Sequence, residues 1–450
     1  MRKFIVGLFL IAALVAFAGV VSAQGGGETV ASGLNGPMGV LVDPDGNVWV
    51  IDSGLGGDDE LPFTDPQTGE TISASYGQSA QVVKVEDGSQ SVAANLPSVV
   101  TGMDNIGGAR LALLDGTLYA TSGQWTNEPG GDSPEPNMSA VVSIGDDGTV
   151  SEFASTWAFE SDNNPEGQIY DSHPYGLAAG PDGNLWVADA GANDLLKIDP
   201  ATGDISLVTI FEGIPGPLPN PERGGAMESD PVPTGIAFDQ AGNAYVSLLP
   251  GFPFIPGSAK VVQVSADGQV SDYATGLTMI TDLRSGPDGN MYAVQFGIFT
   301  EQGPTPNSGA IIRVMAGDAS EVVVSDLSFP TSIDFADNGD AYVSINGVGA
   351  PGSGEVIKFA GLTDMAGTPI TEAMAAVEET TAPEGDQVDI APEGDQPEAA
   401  APEGDTPEAL PQAGGETPDM IWQFGLMVAG GLVLVTGGLL LRYAVITPKR

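Results

Sequence analysis

Apolar and polar residues alternate with a period of two over most of the chain, and one phrase recurs six times between residues 25 and 361. In each copy a short apolar strand leads into a tight turn, and a strand with an aromatic residue follows. Asp-Gly and Asn-Gly between alternating strands favour β-hairpins, because the primed turns need a positive φ. The turn glycines are Gly46, Gly116, Gly183, Gly242, Gly289 and Gly339.

A second hairpin follows each phrase, as in QVVKVEDGSQSVAAN from Gln81 and KVVQVSADGQVSDYA from Lys260. Two hairpins make a four-stranded antiparallel sheet, and six such sheets arranged radially make a propeller. The last repeat lacks a fourth strand after residues 355–362, whereas the segment ETVASGL from Glu28 resembles the fourth strands of other repeats. We therefore expect an all-β, six-bladed propeller whose N-terminal strand completes the sixth blade.

These phrases resemble NHL-type repeats, and the whole arrangement resembles the ScyD/ScyE family of exported bacterial propellers. The resemblance covers residues 28–361 and is carried by the Pro-x-Gly starts at Pro37 and Pro174 and by the DGN-aromatic-Val hairpins. It implies a six-bladed propeller outside the cytoplasm. Most relatives have no assigned activity, so the resemblance implies no catalytic residues.

The N-terminus is typical of a secretory signal peptide over residues 1–23. Arg2 and Lys3 precede an apolar run that ends in a small-x-small pattern, which predicts cleavage between Ala23 and Gln24. We therefore expect export, with the propeller spanning residues 24–361.

The C-terminal part is typical of a stalk followed by an anchor. Residues 362–419 hold fifteen Asp and Glu and no Lys or Arg, which indicates an extended disordered spacer. Residues 420–441 are apolar for the length of a membrane-spanning helix, and the basic tail 442–450 predicts a cytoplasmic end. The motif Leu410, Pro411, Gln412, Ala413 and Gly414 resembles the LPxTG signal of sortase substrates, with Ala413 in place of Thr. A simple membrane anchor and sortase attachment to the cell wall both stay open.

Composition excludes several classes of function. Sixty acidic against thirteen basic residues give a net charge of −47, which disfavours nucleic acid and anionic lipid as partners. Cysteine is absent, so disulfides, thiol nucleophiles and thiolate metal sites are excluded. His173 is the only histidine, which excludes a metal site with several imidazoles.

We expect a functional site at the end of the channel where the first strand of each blade begins and the second ends, since these positions meet there. The residues expected around that mouth are Asp52, Asp104, His173, Tyr175, Asp189, Asp282 and Arg284. A ligand would contact Asp104, His173, Tyr175, Asp282 and Arg284. Asp52, Asp104 and Asp189 could hold Ca²⁺, which prefers oxygen ligands. The alternative is that these Asp residues cap their own turns.

Three functions follow from this pattern. The leading one is a non-catalytic module, displayed on the cell surface, that binds a glycan, a protein or a small molecule. The second is a metal-dependent lyase or hydrolase of the lactonase or streptogramin-lyase kind, with His173 as acid or base beside channel carboxylates. The third is a structural component of a surface layer.

Overall fold

The computed structural model describes residues 26–64, 71–101, 105–127, 134–168, 170–300 and 303–371. Several predictions lie outside these ranges: the signal peptide with Ala23 and Gln24, the candidate ligand Asp104, the motif at 410–414 and the apolar span 420–441. Within the ranges, no helix has the length and apolar character needed to cross a membrane.

The described chain forms six antiparallel sheets arranged as blades, as the repeats predict. Its first strand, β1 (Glu28–Leu34), belongs to the last blade. From the inside outwards, blade one holds β2 (Pro37–Val42), β3 (Val48–Asp52), β5 (Thr71–Glu86) and β6 (Ser89–Val100); blade two holds β8 (Gly108–Leu114), β9 (Thr117–Ser122), β11 (Ala140–Ile144) and β12 (Val150–Ser155); and blade three holds β14 (Pro174–Ala179), β15 (Leu185–Asp189), β16 (Asp194–Ile198) and β17 (Ile205–Ile210). Blade four holds β20 (Pro233–Phe238), β21 (Ala244–Leu248), β22 (Ala259–Val264) and β23 (Val270–Leu277); blade five holds β24 (Ile280–Ser285), β25 (Met291–Gln295), β28 (Gly309–Val314) and β29 (Glu321–Leu327); and blade six holds β30 (Ser332–Phe335), β31 (Ala341–Ile345), β32 (Gly354–Phe359) and β1.

Shorter elements lie in the loops and at sheet edges. Blade one gains β4 (Asp59–Thr64) and β7 (Asn105–Ile106), and blade five gains β33 (Thr368–Pro369). Separate ribbons are β10 (Trp125–Asn127) with β13 (Tyr170–Ser172), β18 (Ile214–Asn220) with β19 (Ala226–Ser229), and β26 (Phe299–Thr300) with β27 (Gly303–Pro304). One helix, α1 (Thr156–Asn163), follows blade two, and Leu362–Asp364 form a 3₁₀ turn.

The ring closes through the first strand, which confirms the predicted closure. β1 pairs antiparallel with β32, and inner strands β2 and β30 pack against each other like those of the other neighbouring blades. The Gln90 side chain on β6 also connects blade one to β1 of blade six. Its amide accepts a hydrogen bond from Ser32 N at 3.0 Å and donates one to Ser32 O at 3.1 Å. Closure leaves the propeller without a free inner edge.

The recurring turn phrase has a structural explanation. The carboxylate of Asp43 accepts hydrogen bonds from the backbone N–H of Asn47 at 2.8 Å and from Trp49 Nε1 at 2.9 Å. Asp182 accepts in the same way from Trp186 Nε1 at 3.0 Å. Burial alone would raise the pKa of Asp43, but its hydrogen bonds hold the pKa below the usual value. The turn Asp therefore joins the hairpin to the aromatic residue of the next strand.

The folded domain extends past the predicted boundary at residue 361. Leu362 and Ile370 are buried, and β33 pairs with β29 while Ile370 N donates to Ser320 O at 3.0 Å. Residues 362–371 therefore belong to the propeller and not to the stalk, and the chain crosses there from blade six to blade five. Two apolar residues among polar ones gave too weak a periodic signal to reveal this.

Candidate functional site

Six backbone hydrogen bonds form a ring, here called the collar, at the end of the channel where the inner strands begin. In each blade, an N–H shortly after the second strand donates to a carbonyl shortly before the first, at 2.8–3.2 Å. The donor–acceptor pairs are Ser53–Gly36, Gly123–Gly107, Ala190–His173, Leu249–Val232, Phe296–Met279 and Gly347–Phe329. Because the six inner strands pack side by side, these pairs surround one opening.

The collar is not uniformly acidic, contrary to the expected carboxylate-rich mouth. Blades one and two contribute only Gly and Ser, whereas blades four to six contribute mainly large apolar side chains. His173 in blade three stands between these two arcs. The expectation counted strand-end carboxylates but left out the residues between the strand ends and the loops.

His173 is almost completely buried, with 5% of its surface exposed. Its ring contacts the Tyr175 ring edge-on, with centroids 5.6 Å apart. Burial lowers the pKa of His173 to about 4, so the imidazole is neutral at physiological pH. Asp189 Oδ1 accepts a hydrogen bond at 2.6 Å from the backbone N–H of His173, which fixes the main chain.

Four buried acidic residues that interact with one another form the acid cluster, and Asp189 among them contacts the His173 backbone: Glu160, Asp171, Asp189 and Asp194. Asp189 and Asp194 are directly opposite each other on β15 and β16. Both carboxylate oxygens of Asp194 and Oε2 of Glu160 have no hydrogen-bond partner among the described residues. Like charges placed opposite each other in a sheet are unfavourable, so these carboxyls resist ionisation.

The pKa shifts follow from this environment. Burial, with repulsion from Asp189 and Asp171, raises the pKa of Glu160 to about 8. Burial likewise raises the pKa of Asp194 well above its usual value, and neighbouring carboxylates add to the effect. Burial raises the pKa of Asp189 to about 6, although hydrogen bonds from Ser172 and backbone amides favour its charged form. At neutral pH Glu160 is therefore mostly protonated and Asp189 mostly ionised, while the surroundings of Asp194 disfavour its charged form.

Arg223 lies at the margin of the acid cluster, on the turn between β18 and β19. It pairs with Glu166 and with Asp230, whose Oδ1 is 2.7 Å from Arg223 Nε. Glu166 also accepts from Asn193 Nδ2 at 3.2 Å, which links Arg223 to the residue next to Asp194. Burial raises the pKa of Glu166 to about 7 despite the opposing effect of Arg223.

A buried ion pair fills the channel below the collar. At equivalent register positions of the inner strands, three blades have glycine and the other three have Arg110, Asp282 and Ser332. Arg110 Nε lies 3.3 Å from Asp282 Oδ1, and Ser332 Oγ donates to Asp282 Oδ2 at 2.6 Å. The Arg110 guanidinium also donates to the carbonyls of Met38, Ala109, Thr281 and Thr331. The glycines let neighbouring inner strands approach each other closely, since a Cβ at Gly235 would overlap the backbone N of Leu283.

Three predicted ligand residues meet in this ion-pair group and not at the open mouth. The Tyr175 ring lies 4.6 Å from the Arg110 guanidinium carbon, and Arg284 Nε lies 3.7 Å from Asp282 Oδ2. Arg284 also reaches across the channel to donate to Leu177 O at 3.0 Å. Burial alone would raise the pKa of Asp282, but Arg110 and Arg284 together lower it below its usual value. Tyr175, Asp282 and Arg284 thus lie inside the channel, where Tyr175 Oη and Arg284 Nε and Nη2 have no hydrogen-bond partner among the described residues.

The sequence interpretation missed Arg110 because the turn of blade two is shorter than the others. Asp115 and Gly116, with φ of 50° and 79°, form a two-residue turn, while five residues separate β2 from β3. When the phrases are aligned on their turn glycines, Ala109 takes the position equivalent to Gly39. The hydrogen-bonding registers of the two blades show instead that Arg110 is the equivalent residue. The available signal was an arginine inside the apolar strand phrase ARLALL, near the position where the phrases of blades one, three and four have glycine.

The described residues do not fit a calcium site. Asp52 accepts from Asn35 N at 2.8 Å and from Gly54 N at 3.2 Å, and Asp189 accepts from the N–H groups of His173, Gly191 and Ala192. Within the described ranges, no three His, Asp or Glu side chains are arranged to hold a metal ion. Both Asp residues cap their own turns, as the alternative interpretation held. A metal role involving Asp104 stays a prediction.

Comparisons with known proteins give one short sequence match. A gluconolactonase of Zymomonas mobilis subsp. mobilis is 43% identical over 44 residues, which are 10% of this chain and 12% of that protein. The match thus spans about an eighth of that relative. No family model matches the chain, so the resemblance to the ScyD/ScyE family stays a prediction.

Solved structures with a similar arrangement include several propeller proteins. Virginiamycin B lyase of Staphylococcus aureus is 13% identical, with a TM-score of 0.39 over 72% of this chain and 94% of that one. Regucalcin of Agrobacterium tumefaciens is 11% identical, with a TM-score of 0.41 over 76% and 94%. A gluconolactonase of Xanthomonas campestris is 11% identical, with a TM-score of 0.39 over 75% and 99%. Similarity of this order says nothing about chemistry; the sheet order above establishes the propeller.

Proposed function

We propose that this propeller is a hydrolase of the lactonase kind, which opens a small cyclic ester beside His173 and the acid cluster. One observation carries the proposal: His173 on the collar is kept neutral by burial, and its backbone is bonded to Asp189 of the acid cluster, in which Glu160 keeps its proton to about pH 8. Strongly shifted pKa values of this kind concentrate at functional sites. The short match to a gluconolactonase supports the same assignment.

His173 and the acid cluster together can supply a general base and a general acid at neutral pH. His173 is neutral and accepts a proton from water as the water oxygen attacks the ester carbonyl. A protonated carboxyl, such as that of Glu160, returns a proton to the alkoxide that leaves when the ring C–O bond breaks. General acid–base catalysis needs one group that accepts a proton and one that donates it, and the opposite shifts leave His173 unprotonated and Glu160 protonated at neutral pH.

Two other functions are the contrasting outcomes of the test. A binding module would use the same collar without turnover, which fits the near-complete burial of His173. A surface-layer component would assemble with copies of itself and would not need these groups.

The test measures ring opening of a panel of lactones by the full-length chain and by His173→Gln. General acid–base catalysis contributes about 10²–10⁴-fold, so we expect His173→Gln to reduce kcat/KM by at least about 100-fold. Asp189→Asn and Asp52→Asn form a matched pair, because both residues are buried strand-end Asp that accept from backbone amides. We expect only Asp189→Asn to reduce kcat/KM.

Each assay is repeated with a chelator and with added Ca²⁺. Turnover that is independent of both supports the proposed chemistry. No turnover of any lactone with Ca²⁺ present, or equal losses in Asp189→Asn and Asp52→Asn, would overturn it.

We further propose that the protein is exported and tethered at the surface through its C-terminal segment. The signal-peptide pattern at residues 1–23, the acidic spacer and the apolar span 420–441 support this. The intact mass of the protein released from cells distinguishes the two modes of attachment. Loss of the residues after the 410–414 motif would indicate sortase, and retention would indicate a membrane anchor.

A further inference from the structure

Blades four to six line their half of the collar with a continuous apolar surface, here called the apolar arc. Its collar members are Val232, Leu249, Met279, Phe296 and Phe329, and its loop members are Phe252, Phe254 and Phe299. The Phe296 and Phe329 rings stack with centroids 5.4 Å apart, which joins blades five and six. Phe254 packs against Phe299 at 4.9 Å, which joins blades four and five.

The arc has a buried layer and an outer layer. Phe254, Met279 and Phe296 are at most 2% exposed and form the buried layer. Phe252, Phe299 and Phe329 are half-buried and face outward from the same core cluster. Grouped, partly exposed aromatic residues at one end of a rigid scaffold are typical of a binding surface and not of scattered surface residues.

The arc is continuous with the candidate site. Tyr175, whose ring contacts His173, belongs to the same core cluster as Phe254 and Phe296, and so does Ala190, whose N–H donates to His173 O. The hydrocarbon surface of the arc is therefore continuous with the residues that contact His173.

The acidic character of the protein limits which ligands the collar can bind. Each Lys and Arg in the described ranges already forms an ion pair with a carboxylate. With a net charge of −47 and no unpaired cation there, the collar disfavours an anionic group such as a phosphate. The arc also offers no hydrogen-bonding side chain to a ligand rich in hydroxyl groups.

We propose that the ligand of the collar is an uncharged or cationic ester with an apolar acyl or aryl group, which lies on Phe252, Phe299 and Phe329. Its polar ester end then lies toward His173. The reaction part of this inference rests on the hydrolase proposal, but the binding part does not.

Binding is tested first with Nile red, an uncharged apolar dye, and the full-length chain. Removing one phenyl group from an apolar contact costs about tenfold or more in affinity. We expect Phe299→Ala and Phe329→Ala each to weaken dye binding at least tenfold. Val92→Ala is the matched control, because Val92 is 52% exposed on β6 of blade one, outside the arc, and should leave dye binding unchanged. Phe299→Leu keeps an apolar side chain and should restore most of the binding if the Ala variant is poorly folded.

Specificity is tested second, with the 4-nitrophenyl esters of acetate and hexanoate and with a polyhydroxylated sugar lactone. We expect the hexanoate ester to be preferred by the wild type and the preference to fall at least tenfold in Phe329→Ala. Dye binding that depends on the arc without turnover would support this inference and overturn the hydrolase. Turnover that depends on His173 but not on either Phe would support the hydrolase and overturn this inference.

Discussion

This propeller contains two groups of buried ionisable residues, the channel ion pair and the acid cluster, and their carboxyls behave in opposite ways. Asp282 in the channel contacts two guanidiniums, and its pKa lies below the usual value. Asp194 in the acid cluster faces carboxylates, and its pKa lies far above the usual value. Both side chains are fully buried, so burial does not distinguish them. Their neighbours distinguish them. Two guanidiniums compensate the charge of Asp282, whereas the carboxylates around Asp194 disfavour its ionised form.

The strongest way to break this contrast is to remove the channel cation. Arg110→Met leaves Asp282 buried with most of its compensation lost, and we expect a loss of about 3–5 kcal/mol in the free energy of unfolding. Chemical denaturation measures this loss. Asp282→Asn added to Arg110→Met should recover part of it, since the unpaired charge is then gone. Equal stability of the single variant and the wild type would contradict the role of the pair.

The acid cluster should make the protein less stable as the pH rises. The folded state keeps the Glu160 proton up to about pH 8, whereas an unfolded Glu loses it near 4.5. The folded state thus binds more protons between these values, and each rise of one in pH there lowers the free energy of unfolding by about 1.4 kcal/mol. Denaturation from pH 5 to pH 8 measures the slope. Glu160→Gln should flatten it, and an unchanged slope would show that Glu160 is ionised in the folded protein.

Substitution of Arg223 tests whether a nearby cation lowers the pKa of a buried carboxyl at the margin of the acid cluster. Arg223→Gln removes the partner of Glu166 and Asp230, and we expect a loss of about 1–2 kcal/mol. The pKa of Glu166 should rise above 7, because Arg223 opposes the effect of burial there. Carboxyl titration by NMR measures the shift. A lower pKa in the variant would contradict the assignment.

Tyr175 contacts both Arg110 and His173, and its hydroxyl should contribute least to the free energy of unfolding. Its ring makes the contacts with Arg110 and His173, so Tyr175→Phe keeps both. We expect less than about 0.5 kcal/mol of change, the size usual for substitutions that retain packing. Thermal denaturation measures it, with Tyr175→Ala as the contrast that loses the ring. A large effect of Tyr175→Phe would place a necessary hydrogen bond at the hydroxyl.

Much of the architecture was predictable from local patterns. The Asp-Gly-Asn turns, the period-two strands and the unpaired last repeat predicted six blades and the closing strand β1. The candidate site was predicted only in part. His173, Tyr175, Asp189, Asp282 and Arg284 were all named, but Tyr175, Asp282 and Arg284 were expected at the open mouth, and Arg110 was missed.

Glu160 and Asp194 carried no recognisable motif, because nothing in their local sequence separates them from the many surface acids. Their protonation depends on burial and on neighbours from another element, α1 beside β15 and β16. The apolar arc was hidden for the same reason, since its phenylalanines lie in the irregular loops of three blades.

The sequence by itself determined the repeat, the turns, the strand alternation and the strongly acidic character of this protein, because these depend on local backbone preferences and composition. Only the tertiary structure decided which charges are compensated. Arg110 meets Asp282 across the ring, while Asp194 meets only other carboxyls. A buried ionisable group takes its protonation state from groups that are near in space, and the chain brings those together only when the ring has closed.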